Sequence, residues 1–222
     1  MAALNPNNLS KDELRTFMTK RCTHSHFYFE HPSCFLKEKS KPIKRGFFDI
    51  ETGNLKANFG ILLSYAIKVE NEDVIYSDTI TKKDLNKKIL DKRLLQECID
   101  DLSKFDEILT YYGTRFDIPF VRSRALYWGL EFPKYGFIKH KDIYYMVRNR
   151  LCLSSNHLET ACRFLGIKEK THIDNEAWIL ATCTGDKKAL EEMSDHNRKD
   201  SMITEHLYHK ICDYVKETKR SI

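Results

Sequence analysis

Between Gly46 and Ile80 the chain carries three successive runs of β-branched and aromatic residues: Gly46–Glu51, Ile61–Val69 and Val74–Ile80. Turn formers (Gly53, Asn54, Asn71, Glu72) fill the gaps, so the runs read as strands. Sequential strands joined by short turns form an antiparallel meander. Leu85–Phe105 follows with Ile89, Leu90, Leu94, Leu95, Cys98, Ile99 and Leu102 at helical spacing. Glu107–Tyr112 reads as a fourth strand. Asp117–Leu130 reads as a helix with Pro119 in its first turn, where proline is tolerated. A short strand is expected near Phe137–His140. Helices follow to about Lys216, broken at Ser154–Asn156, Gly166–Asn175 and Gly185–Asp186. The expected class is α/β: three antiparallel strands and two further strands in a mixed sheet, flanked by helices.

Ahead of this pattern lies a polar segment rich in His and Cys, residues 1–40, followed by the main domain, residues 41–222. A short helix is expected at Lys11–Lys20, with Ser10 as N-cap and Glu13 completing a capping box. Residues 36–45 read as a basic, proline-containing linker. With 222 residues, 41% hydrophobic and 31% charged, the chain has apolar material for a core and is not of the disordered class. No run reaches the ~18 apolar residues of a membrane span, and the first twenty residues hold no leader-like apolar segment. The expectation is a soluble, intracellular, cytoplasmic protein. Its net charge of +5 favours a polyanionic partner without specifying one. Five of the seven cysteines, Cys98, Cys152, Cys162, Cys183 and Cys212, fall in apolar segments, as buried reduced thiols of a cytosolic protein would.

Three acidic segments carry the chemistry. In Gly46-Phe-Phe-Asp-Ile-Glu51, residues two apart share a face of the strand, so Asp49 and Glu51 project together, away from Phe48 and Ile50. Adjacent carboxylates repel, and a hard divalent cation relieves that conflict. The bland alternative is a solvent-facing strand end. Asp117 opens a helix just after a strand and a glycine-containing loop, where α/β proteins place ligands; its bland reading is an N-cap. His196 and Asp200, four apart, share a helical face that by itself reads as solvated.

Together the segments FDIET (Phe48–Thr52), GTRFDIPFV (Gly113–Val121) and HNRKD (His196–Asp200), in this order, resemble the DEDD (DnaQ-like) superfamily of 3′→5′ exonucleases, which has an RNase H-like fold. Trp178, Ala181, Gly185-Asp186 and Ala189-Leu190 add a resemblance to YprB-type exonuclease domains. The resemblance spans about Arg45–Lys216. It implies that Asp49, Glu51, Asp117 and Asp200 hold two Mg²⁺ or Mn²⁺ ions for phosphodiester hydrolysis of DNA or RNA, single-stranded or at a 3′ end. His196 then takes the slot of the residue that orients or deprotonates the attacking water. The histidine subclass places its His five before the last Asp, and the tyrosine subclass a Tyr four before; this chain has a His at the tyrosine spacing. Asp142 is a further acid whose ordinary job is a helix N-cap.

Cys22, His24, His26, His31 and Cys34 gather five nitrogen and sulfur donors in thirteen positions. Cys22, His26, His31 and Cys34, with His24 as substitute, fit one structural Zn²⁺, against the alternative of a polar tail enriched by chance. Of the nearby aromatic and basic residues (Phe59, Tyr112, Arg115, Phe116, Arg122, Arg124), Arg115 and Phe116 are the expected substrate contacts. Readings of other classes stay open: an endonuclease or small-nucleotide phosphodiesterase on the same fold, a non-catalytic nucleic-acid-binding module, and a zinc-stapled interaction protein.

Overall fold

The computed structural model describes residue 9 and residues 11–22, 24–39, 41–86, 89–167 and 173–215. The chain divides into two compact units, Met1–Ile43 and Lys44–Ile222. In the first unit, helices α1 (Lys11–Thr19) and α2 (Pro32–Lys39) flank a turn closed by an antiparallel bridge between Arg21 and Phe27. The expected N-cap Ser10 lies outside the described residues. Residues 36–39 are helical, not linker, because Phe35 anchors α2 by edge-on packing against Phe17 and Tyr28. Lys37 and Lys39 also suit the negative end of that helix.

In the second unit the sheet has the order β3-β2-β1-β4-β5. Strands β1 (Arg45–Thr52), β2 (Leu62–Val69) and β3 (Ile75–Thr79) pair antiparallel, and β4 (Glu107–Thr110) and β5 (Lys139–Asp142) continue parallel to β1. This is the expected mixed sheet. Central strand β2 is buried along its whole length, so both faces of the sheet are covered. On one face Phe48, Ile50, Tyr65 and Ile67 pack with α4 (Lys92–Leu102) and α5 (Asp117–Trp128). On the other, Phe47 packs with α6 (Ile143–Arg150), α7 (Leu158–Phe164) and the long α9 (Lys187–Ile211), which α8 (Asn175–Thr184) precedes. Each fully buried Leu, Ile or Phe contributes roughly 1.5–3 kcal/mol. Among the described residues no helix is long and apolar enough to cross a membrane.

Two expected elements differ most. The final strand is Lys139–Asp142 rather than Phe137–His140: Gly136 takes a positive φ of 88°, the chain turns, and Phe137 is left exposed. The single helix expected at Leu85–Phe105 is two, α3 (Lys82–Asn86) and α4, with Leu90 in the left-handed region at φ 44°. Asp91, which follows Leu90, explains the break. Its fully buried carboxylate accepts hydrogen bonds from Leu62 N (2.9 Å), Arg124 Nε (2.8 Å) and Nη2 (2.6 Å), and Trp128 Nε1 (2.8 Å). A helical turn here would withdraw that carboxylate from its donors.

Arg124 is thus committed to a buried pair and is not available to a phosphate. Removing one member of such a pair leaves the other charge buried and uncompensated. Arg124→Met is expected to cost ~3–5 kcal/mol in urea unfolding. An unchanged unfolding midpoint would show that the pair contributes nothing.

Candidate active site

Strand β1 and helix α9 build most of the site. Asp49 and Glu51 alternate with Phe48 and Ile50, so they leave the sheet on the α9 side; their partners on β2 are Ala66 and Ser64. These small residues make room for α9, which lays Ser194, Asn197, Asp200, Ser201 and Thr204 into the interior. Asn197 Nδ2 donates to Asp49 Oδ2 at 2.6 Å, and Ser64 Oγ lies 3.4 Å from Asn197 Oδ1. His196 Nε2 stands 3.7 Å from Glu51 Oε1 and 3.7 Å from Asp200 Oδ2, joining strand and helix. Asp117 comes from the opposite side, its Oδ1 accepting from Ile50 N at 3.2 Å.

Asp117 is the first residue of α5, after Phe116, so the N-cap reading does not hold for it. Asp142 does cap a helix. Its carboxylate accepts from Tyr144 N at the start of α6 (3.1 Å) and also from Tyr112 N and Thr114 N (both 2.9 Å). Asp142 therefore pins the loop that delivers Asp117. In that loop Tyr112 adopts φ 68°, and a Cβ on Gly113 would stand 2.4 Å from Thr110 Oγ1, so only glycine fits there.

The electrostatics bear out the crowding. Burial, then the charges of Asp117, Glu51 and Asp200, push the Asp49 carboxyl well above the usual range, while the Asn197 amide works the other way. Burial, with a contribution from Asp142, raises Asp117 to about 7, opposed by backbone hydrogen bonds including that of Ile50. Buried oxygen donors that resist losing their protons together are what hard divalent cations select, and this donor set fits such an ion.

That conflict has a measurable sign. A carboxyl whose folded-state pKa is raised holds its proton longer in the native than in the unfolded state. Stability from this source is present below about pH 4 and is lost as pH rises towards 7 and beyond. Freed of divalent cations, the protein is expected to lose ~5–10 °C in Tm between pH 5 and 8. Added Mg²⁺ should restore more at pH 8 than at pH 5. A cation-free Tm that stays level or rises over this range would show that the acids do not repel.

Beside Glu51 a groove of ≈ 680 Å³ is lined by Thr52, Leu55, Lys56, Phe116 and Trp178. Phe116, expected to meet substrate, lies on it; Trp178 forms another part of its wall. Arg115 is exposed, with Nε 3.4 Å from Tyr145 Oη. Arg122 lies over the Phe132 ring, 5.4 Å from its centroid, and Phe59 is 80% exposed on its loop.

In the N-terminal unit, Cys22, His24 and Cys34 bring donor atoms within 4.8 Å of one another, and so do Cys22, His26 and His31.

Two hundred and thirty-five solved chains resemble this one significantly, so the fold is widely shared and names no activity by itself. One is the family B DNA polymerase from the hyperthermophilic archaeon Pyrobaculum calidifontis. It aligns with a TM-score of 0.59 and 16% identity over 78% of this chain, but over only 25% of the polymerase, so the likeness is one of fold. No curated protein matches significantly. The family model RNase_H_2 matches residues 46–212, and the chain belongs to the RNase H superfamily.

Proposed function

We propose that this chain is a divalent-cation-dependent nuclease that hydrolyses phosphodiester bonds in DNA or RNA, removing nucleotides from a 3′ end. The observation that carries the reading is the grouping of acids from three elements. Asp49 lies under the charges of Glu51, Asp117 and Asp200, with His196 3.7 Å from two of them. A structural role does not call for four carboxylates drawn together from three elements.

Asp49, Glu51, Asp117 and Asp200 would hold Mg²⁺ or Mn²⁺. Two such ions supply, when bound, an activated water and neutralisation of charge on the phosphate. Asn197 orients Asp49 through its amide, and the Ile50 N–H orients Asp117. His196 would take a proton from the water or contact a phosphate oxygen. The Phe116 and Trp178 walls beside Glu51 offer rings on which a terminal base can stack, with Arg115 as a phosphate contact.

The test is digestion of DNA and RNA oligonucleotides labelled at either end, with Mg²⁺, Mn²⁺ or EDTA. The expected result is a ladder shortening from the 3′ end, abolished by EDTA. Internal cuts would make the chain an endonuclease. Binding without cleavage in either metal would make it a non-catalytic module.

A further inference from the structure

The first unit has a small interior. Its buried apolar cluster, among the described residues, consists of Phe17, Cys22, Tyr28 and Phe35, with Leu9 and Cys34 packed against it. About 40 residues around so few large side chains do not stay folded on burial alone; units of this size draw on a disulfide, a metal or a partner.

The two thiols in that cluster stand beside the histidines. Cys22 Sγ lies 3.9 Å from His24 Nδ1, Cys34 Sγ 3.6 Å from the same nitrogen, and His31 Nδ1 3.1 Å from Cys34 Sγ. Around a tetrahedral zinc with bonds of about 2.0–2.3 Å, ligand atoms stand roughly 3.3–3.8 Å apart. The observed separations cluster about those edges.

The backbone is shaped to make this happen. Cys22 N donates to His26 O (2.8 Å) and Ser25 N to Cys22 O (2.9 Å), with Ser25 at φ 67°, so a tight knuckle presents Cys22 and His24. Cys34 N donates to His31 O (3.0 Å) at the start of α2, and residues three apart there share one face. A knuckle facing a helix start is a two-pair scaffold for one ion.

We infer that the N-terminal unit is a closed structural zinc site, with Cys22, His24, His31 and Cys34 as ligands. This revises the expected set: His24, between both thiols, takes the place of His26. A His26 donor atom also comes within 4.8 Å of those of Cys22 and His31, but its backbone carbonyl closes the knuckle and its ring packs on His31 with centroids 5.4 Å apart, whereas His24 Nδ1 lies near both thiols. Mixed thiolate and imidazole donors select zinc over the hard cations of the carboxylate site, so the two sites sort their metals by ligand chemistry.

The test is elemental analysis of the full chain purified without added metal, with the ligand variants alongside. One zinc per chain is expected in the wild type and in His26→Ala, and well below one in His24→Ala and Cys34→Ser. Cobalt(II) exchanged into the wild type should give a thiolate charge-transfer band, a readout that does not require Cys22 variants to fold. A folded wild-type chain without zinc, with Cys22 and Cys34 either open to alkylation or joined as a disulfide, would overturn the inference. Zinc retained by His24→Ala but lost from His26→Ala would overturn the ligand assignment. Neither result bears on cleavage by the carboxylate site.

Discussion

Asp49→Asn and Asp200→Asn are each expected to lower hydrolysis by ~10²–10³-fold or more, the scale on which a preorganised charge-stabilising group acts. The substitutions keep side-chain shape and remove one negative charge from the set proposed to hold cations. At position 49 the amide oxygen can still accept the hydrogen bond that Asn197 Nδ2 now gives at 2.6 Å, so packing against α9 survives. The new NH₂ faces carboxylates instead of adding to their repulsion. The cation-free Asp49→Asn variant should therefore melt a few degrees higher than the wild type, an inverse relation between stability and function typical of active sites. Calorimetric Mg²⁺ titration should show weakened binding in both variants. Near wild-type turnover in either would end the site assignment. A lower Tm in the cation-free Asp49→Asn protein would show that the carboxylate there is a structural acceptor and not a strained ligand.

The pairing of Asp49 with Glu51 and of His196 with Asp200 was legible from local rules, two apart on β1 and four apart on a helix, but only the resemblance joined these pairs to each other and to Asp117. What escaped depends on distant partners. Asn197 stands next to His196 in sequence, but its role comes from Asp49, 148 positions earlier, and from Ser64. A signal was present. Ser194, Asn197, Ser201 and Thr204 recur at helical spacing, a small-polar stripe opposite strand residues as small as Ser64 and Ala66. The split of α3 from α4 escaped because the apolar spacing runs unbroken through it. The buried Asp91 marks it, and its partners Leu62, Arg124 and Trp128 lie on other elements. For the same reason Arg124 reads as one more basic residue until Asp91 is seen against it. Helix α2 was hidden by a lysine-rich sequence whose single buried anchor is Phe35.

His196 sets the expectation for which sequence pattern gives least guidance. Its ring is nearly enclosed and lies between Glu51 and Asp200, 3.7 Å from each. If the imidazole orients or deprotonates the attacking water, His196→Ala should lower kcat by ~10²–10⁴-fold. Cation affinity should change little, because all four acids remain. If it contacts a substrate phosphate instead, the loss should fall on KM and grow with salt. The pH profile separates the cases further. An unperturbed imidazole loses its proton near pH ~6.5. A general base must be neutral, so activity should rise through the neutral range, and the alanine variant should lose that limb. His196→Tyr is the informative second change, because a hydroxyl at this position can hold a water in place but is a poor base at neutral pH. Recovery of most activity by tyrosine, with no neutral limb, would mean that placing the water matters more than removing its proton. Full activity in His196→Ala would reduce the histidine to a spacer between the strand and helix acids.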